Sequence, residues 1–216
     1  MRLVLSRRSL VTASLLVASL VLPTACATGP RPTWGDTTLP PTPTMTGDPD
    51  IDAVLELLDS PSDAAMTADY SVLRKYGNVT TSAHLAIGPG GLRSVTLGDV
   101  RFVTGPEGSA TCTPDGCQQG IIAQAASDVG ITIEFWAADA AARLRRDAAA
   151  KIGPVGVRYT TLADQQIQCV DLPVAGGTAV YCVLESGVLA VLDDGDVRVE
   201  LTQYSPTSLD AEFQIP

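Results

Sequence analysis

From Met66 to Tyr204 the chain repeats one pattern: short runs of alternating apolar and polar residues, broken by turns rich in Gly, Pro, Asn and Asp. Alternation with a period of two gives a strand one apolar face, which must be buried against other elements. Residues 66–75 put Met66, Ala68, Tyr70 and Val72 on one face, and residues 79–87 put Val79, Thr81, Ala83, Leu85 and Ile87 on one face. Turn sequences at 75–78, 88–91, 98–99 and 105–108 then delimit strands at 92–97, 100–104 and 109–112. A second series is predicted at 155–162, 166–174, 178–184, 188–192 and 197–204.

Two helices interrupt this pattern. Asp48-Pro49 is a helix start, with Asp as N-cap and Pro at the first helical position. Ile51, Val54, Leu55 and Leu58 follow at i, i+3, i+4 and i+7, and Ser60-Pro61 ends the run. The alanine-rich stretch after Trp136 predicts a helix over 136–152, stopped by Gly153-Pro154. Residues 118–135 are ambiguous, since Ile131 to Phe135 fits a strand or a lead into that helix. Helix, meander, helix, meander is the order of an α+β domain with a mainly antiparallel sheet, one N-terminal helix and one mid-chain helix. Aromatics are only 5% of the chain, so the core must come mainly from Val, Leu, Ile and Ala.

Four cysteines lie within this domain, and three pairings are possible. Cys169 and Cys182 flank Ala175-Gly176, and a two-residue turn there sets them directly opposite each other on neighbouring strands. Cys112 and Cys117 flank Thr113-Pro114-Asp115-Gly116, a turn sequence that they would staple. A four-cysteine zinc site is the rival reading, and the export signal described next weighs against it.

Residues 1–25 have the zones of a signal peptide: Arg2, Arg7 and Arg8, then an uncharged run from Leu10 to Leu22, then the small residues Thr24 and Ala25 before Cys26. That run is thirteen residues long. A helix spanning the ~30 Å of bilayer hydrocarbon needs about 20. A small residue just before Cys26 resembles a bacterial lipobox. The resemblance implies acylation of Cys26, cleavage before it, and anchoring at the outer face of the cell membrane. Pro23 stands where the lipobox pattern has Leu, and cleavage after Ala27 at an A-x-A site is the alternative. Ser6-Arg7-Arg8-Ser9-Leu10-Val11 also resembles a twin-arginine export motif, so the export route stays open. Residues 26–48 then read as a tether, with five Pro and seven Thr after Cys26 and no apolar periodicity. Residues 49–216 form a single extracytoplasmic domain.

Removing residues 1–25 takes away three arginines and no acid, moving the net charge from −10 to −13. A surface of that sign repels nucleic acid, so no nucleic-acid partner is expected. His84 is the only histidine and has no metal-ligand spacing around it. Ser82 shares its strand face, without the G-x-S-x-G turn of a hydrolase nucleophile. Asp193, Asp194 and Asp196 surround Gly195 but lack the oxygen spacing of a calcium loop, and a hairpin turn is expected there. No glycine-rich phosphate loop links a strand to a helix. No catalytic residue, metal or cofactor is expected.

With a lipidated Cys, a Thr/Pro tether, an early helix, a meander, a mid-chain helix and a closing meander, the chain resembles the half-barrel lipoproteins of actinobacterial envelopes, the LolA/LppX/LprG-like group. The stretch from Tyr181-Cys182-Val183 through Glu200-Leu201-Thr202-Gln203-Tyr204-Ser205 to Leu209-Asp210-Ala211-Glu212-Phe213 is similar to the tail of such lipoproteins. The resemblance implies a curved sheet that wraps its helices and leaves an apolar cavity for a lipid. The first functional expectation is therefore a carrier or binder of a lipid or other apolar ligand. Its alternative is an envelope interaction module with a filled core and no ligand. Acylation is directly testable: a fatty-acid analogue fed to growing cells is expected to label the wild-type chain and to leave Cys26→Ser unlabelled and released from the membrane fraction. Label persisting on Cys26→Ser would overturn the anchor assignment.

Overall fold

The computed structural model describes residues 45–215. The signal peptide, Cys26 and the tether up to residue 44 lie outside the described residues.

Helix α1, Pro49–Asp59, begins where the Asp48 side chain accepts from the Asp50 amide, and it buries Ile51, Val54, Leu55 and Leu58. Asp50 and Asp52 sit in its first turn, where the helix dipole favours negative charge. Eleven strands follow: β1 Met66–Arg74, β2 Val79–Gly88, β3 Leu92–Leu97, β4 Val100–Gly105, β5 Gly108–Thr113 and β6 Gly116–Gln119, then β7 Gly156–Leu162, β8 Gln165–Val174, β9 Gly177–Leu184, β10 Leu189–Asp193 and β11 Val197–Ser205. Helix α2, Ala138–Ala149, lies between β6 and β7.

All the strands belong to one open, curved antiparallel sheet in the order β6-β5-β4-β3-β2-β1-β11-β10-β9-β8-β7. Each meander is a series of hairpins between chain neighbours. They fuse through β1 and β11, which pair from Thr67 opposite Ser205 to Arg74 opposite Val197 with one irregularity between Asp69 and Tyr70. Alternation sorts the sheet into two faces. The inner face of the central strands carries Met66, Ala68, Tyr70 and Val72 of β1, and Val197, Val199 and Leu201 of β11, all at 2% exposure or less.

Both helices and the segment between β6 and α2 pack on that inner face. Helix α1 lies against α2, β8 and β9, and α2 also touches β8 and β9. Asp59 of α1 pairs with Arg145 of α2, and Asp48 with Lys151 just after α2. The segment from Gly120 to Ala137 contains a 3₁₀ stretch, Ala123–Val129, and brings Ile131, Phe135 and Trp136 into the core. Phe135 meets Tyr70 edge-on at 5.0 Å between ring centroids. The Tyr70 hydroxyl donates to the Leu189 carbonyl at 2.9 Å, and the Leu189 amide donates to the Trp136 carbonyl at 2.8 Å. These contacts tie β1, β10 and the interhelical segment together beneath the seam of the two meanders.

One expectation is corrected and one open reading is resolved. The second helix is shorter than 136–152, because Trp136 and Ala137 are buried anchors that precede it and Ile152 leaves it to donate its amide to Pro173. The ambiguous stretch opens with β6, which has no apolar alternation to announce it. Of the two readings of Ile131 to Phe135, the structure shows the lead into the helix, with turns at residues 133–137 running into α2.

The turn joining β9 to β10 shows how close the packing is. Gly187 has φ +80°, and a Cβ there would lie 2.3 Å from the Leu57 carbonyl oxygen and 2.7 Å from the Pro61 Cα, both backbone atoms. Gly176, at φ +99°, faces open space. Gly176→Ala is therefore expected to lose only the left-handed backbone penalty of about 1–2 kcal/mol. Gly187→Ala should lose about 3 kcal/mol or more, since backbone must move. Urea unfolding midpoints check the pair, and equal losses would refute the close approach.

Candidate functional site

The inner face is filled. Ile51, Val54, Leu55, Ala140 and Leu144 are fully buried at 0% exposure, and Phe135 and Trp136 are nearly so. The cavity implied by the half-barrel resemblance would lie there, and the protein's own helices and aromatic rings occupy that volume. A groove of about 820 Å³ opens on the outer face, floored by Leu92, Val103 and Ala110 and flanked by Gln119, Phe213 and Ile215.

Burial explains how the groove is built. A half-solvated antiparallel strand buries every second residue. At the end of β2 this fails, because Leu85, Ala86, Ile87 and Gly88 are all buried. Ser94, Val103 and Ala110 on the same outer face are also buried. The C-terminal segment covers this region: residues Asp210–Phe213 form a 3₁₀ turn packed on β2 and β3.

Three contacts hold this segment to the sheet. His84 Nε2 lies 3.1 Å from Glu212 Oε1, and its Nδ1 lies 2.6 Å from Asp69 Oδ1. Arg101 donates to the carbonyl oxygen of Gln214. The Phe213 ring rests on Gly88, where a Cβ would meet it at 2.7 Å. His84, which has no metal-ligand spacing around it in sequence, is thus bracketed by two carboxylates. Asp69 is its cross-strand partner. That pairing follows from hairpin register, whereas Glu212 comes from 128 residues away and had no sequence signal.

The cysteines are paired, Cys112 with Cys117 and Cys169 with Cys182, each with Cα atoms 4.0 Å apart. Val174 faces Gly177 across the Ala175-Gly176 turn, and Cys169 faces Cys182. Both bonds lie on the outer face. Cys117 lines the groove, and the Arg158 guanidinium reaches Cys182 Sγ at 3.8 Å. Cys26 lies outside the described residues. Among the described residues no group of three His, Cys, Asp or Glu could hold a metal ion, and no helix is long and apolar enough to cross a membrane.

The acidic turn is a hairpin with an added structural role. Asp194 Oδ1 accepts from the amides of Asp196 at 2.8 Å and Val197 at 2.9 Å. Its Oδ2 accepts from Arg143 at 3.0 Å and Arg146 at 3.3 Å, both on α2. Arg146 also holds Asp147, which accepts from the buried Tyr181 hydroxyl at 2.6 Å. Burial and that carboxylate push the Tyr181 hydroxyl well above its ordinary pKa. Burial alone would raise the Asp194 carboxyl, but the Val197 and Asp196 amides and the Arg143 guanidinium outweigh it and hold it below the usual range.

No family model matches the chain, and no curated protein matches it. Among solved structures, the crystal structure of MucB is similar over 79% of this chain and 64% of that one, at 10% identity and a TM-score of 0.46. The crystal structure of MucB in complex with MucA(peri) is similar over 78% and 59%, at 11% identity and a TM-score of 0.43. A LolA superfamily protein, NE2245 from Nitrosomonas europaea, is similar over 75% and 96%, at 10% identity and a TM-score of 0.25. The chain thus spans just under two thirds of the MucB chains it resembles. None of these is described as an actinobacterial lipoprotein.

Asp194→Ala leaves the Asp196 and Val197 amides without their acceptor and costs Arg143 and Arg146 one of their two carboxylates, with Asp139 and Asp147 remaining, and should lower stability by about 1–3 kcal/mol at neutral pH. A carboxyl whose pKa is depressed by folding stabilises the fold above its unfolded pKa, and that stability fades as pH falls through the folded value. The gap between wild type and Asp194→Ala in urea unfolding is therefore expected to narrow below about pH 4. A gap that stays constant down to pH 2 would show that the carboxylate contributes nothing.

Proposed function

We propose that this chain is an envelope lipoprotein, anchored through Cys26 at the outer face of the cell membrane, and that its domain binds a protein partner in the outer groove without catalysing a reaction. The observation that supports this over lipid carriage is the filled inner face. A sheet that sheltered acyl chains would leave that face to them, and here Leu55, Leu144, Phe135 and Trp136 take it up.

The groove suits an extended peptide. Its apolar floor removes side chains from water at ~25 cal/mol per Å². Its walls carry Glu107, Ser109, Gln118, Gln119 and Gln214, which offer hydrogen bonds along a main chain. Among the described residues β6 forms one edge of the sheet, with a strand neighbour on one side of its backbone only. Added strands recognise such edges. A second reading, an acyl chain lying in the same groove, is favoured by its volume of about 820 Å³, within the ~300–1,000 Å³ of small-molecule sites.

A photoreactive amino acid placed in living cells at Gln119, on the groove wall, separates the two readings. The expected result is one discrete protein adduct, absent when the same residue replaces the exposed Thr80 far from the groove. Solvent extraction of the purified chain is expected to give no stoichiometric lipid. Lipid at one equivalent with no adduct would replace the proposal by the second reading.

A further inference from the structure

The groups that grip the C-terminal segment belong to the sheet and form a receptor that is complete without it. His84 and Gly88 lie on β2, and Arg101 lies on β4. Register fixes them, because Thr96 of β3 faces His84 on one side and Arg101 on the other. Together they read three features in a row: a carboxylate, an aromatic ring on the next residue, and the main-chain carbonyl after it. The Gly88 socket is specific, since any Cβ there would invade the ring's place.

The segment now in the receptor fills it only in part. Leu209 is 70% exposed and Ile215 is 52% exposed. Beyond Phe213 the groove continues along Val103, Gly105 and Ala110 toward Gln119 of β6. We propose that this receptor binds, in trans, an extended peptide carrying an acidic residue followed directly by an aromatic one and then by apolar residues, and that Glu212-Phe213 is its place-holder in the free protein. This rests on reading the domain as a protein-binding module, and it names the partner's chemistry. The incoming peptide supplies the same carboxylate and ring and adds apolar residues for the open groove. A tethered segment competes at an effective concentration of around millimolar, so it sets a threshold that only a longer match exceeds.

The test uses the full chain and a fluorescent peptide with the sequence of residues 208–216 followed by two leucines. Glu212→Gln with Phe213→Ala weakens the place-holder and leaves the receptor whole. This double variant is expected to bind the peptide at least tenfold more tightly than wild type. Adding Gly88→Ala or Arg101→Ala to it should abolish binding, and a peptide with Gln and Ala in place of its Glu and Phe should not bind. A double variant with wild-type circular dichroism that fails to bind, or that binds both peptides alike, overturns the proposal. Hydrogen exchange on the wild-type chain gives a second readout. Saturating peptide should speed exchange at residues 209–215 at least tenfold, and unchanged exchange there overturns displacement. A Gln119 adduct in cells without peptide binding would refute this specificity alone and leave the protein-binding reading intact.

Discussion

The pairing of β1 with β11 is the contact on which the architecture depends. Every other strand pair joins chain neighbours and can form locally, at little loop-closure cost. β1 and β11 are separated by more than a hundred residues, and without their ladder the chain holds two unrelated meanders. The inner face is arranged around that seam. Tyr70 of β1 donates to Leu189 of β10, Leu189 donates to Trp136, and Phe135 packs on the Tyr70 ring. On the far side of β11, Asp194 closes the hairpin to β10 and receives Arg143 and Arg146, two of the three arginines of α2. The two knots fix the helices to both sides of the seam.

Filling the inner face redirects the question of function to the outer one. A curved sheet buries one face by wrapping, and here two helices and an eighteen-residue segment complete that burial. The outer face would then be solvated throughout, with alternation intact. It is not, because Ala86, Ser94, Val103 and Ala110 are buried there under or beside the C-terminal segment. A buried patch on the solvent side of a sheet, next to an open groove, is where a binding surface is expected.

Much of the fold was legible in sequence, for a physical reason. Strand alternation, the Asp48-Pro49 helix start and the Ala175-Gly176 turn are local signals, and the strands lie within a residue or two of where the pattern put them. The facing of Cys169 and Cys182 follows from a two-residue turn and counting. What escaped was set by distant chain. Nothing near His84 announces Glu212, and nothing in Gly88 distinguishes a socket for a ring from an ordinary turn residue. Asp194 was legible as a turn, while its burial depends on α2 arriving overhead. β6 went unread because Cys117-Gln118-Gln119 lacks alternation, and its place comes from the hairpin with β5. The implied lipid cavity was beyond the sequence for the same reason: resemblance speaks to the order of elements, and whether a sheet is hollow depends on where a few large rings such as Trp136 come to rest.

The disulfides complete this division of labour. An open sheet has two ends at which strands are held from one side only. At one end, β7 is exposed along most of its length. Cys112–Cys117 staples the edge strand β6 to β5, and Cys169–Cys182 joins β8 to β9 one strand in from the other edge. Both close small loops, so each removes modest entropy from the unfolded chain, on the order of 2–3 kcal/mol. Their value lies in position. Cys169 and Cys182 are themselves buried, on the two strands that both helices pack against, and Cys117 holds the strand that walls the groove. A groove whose floor belongs to β3, β4 and β5 and whose wall belongs to β6 keeps its width only if β6 stays seated. Covalent attachment at Cys117 supplies that where four residues of hydrogen bonding alone would fray.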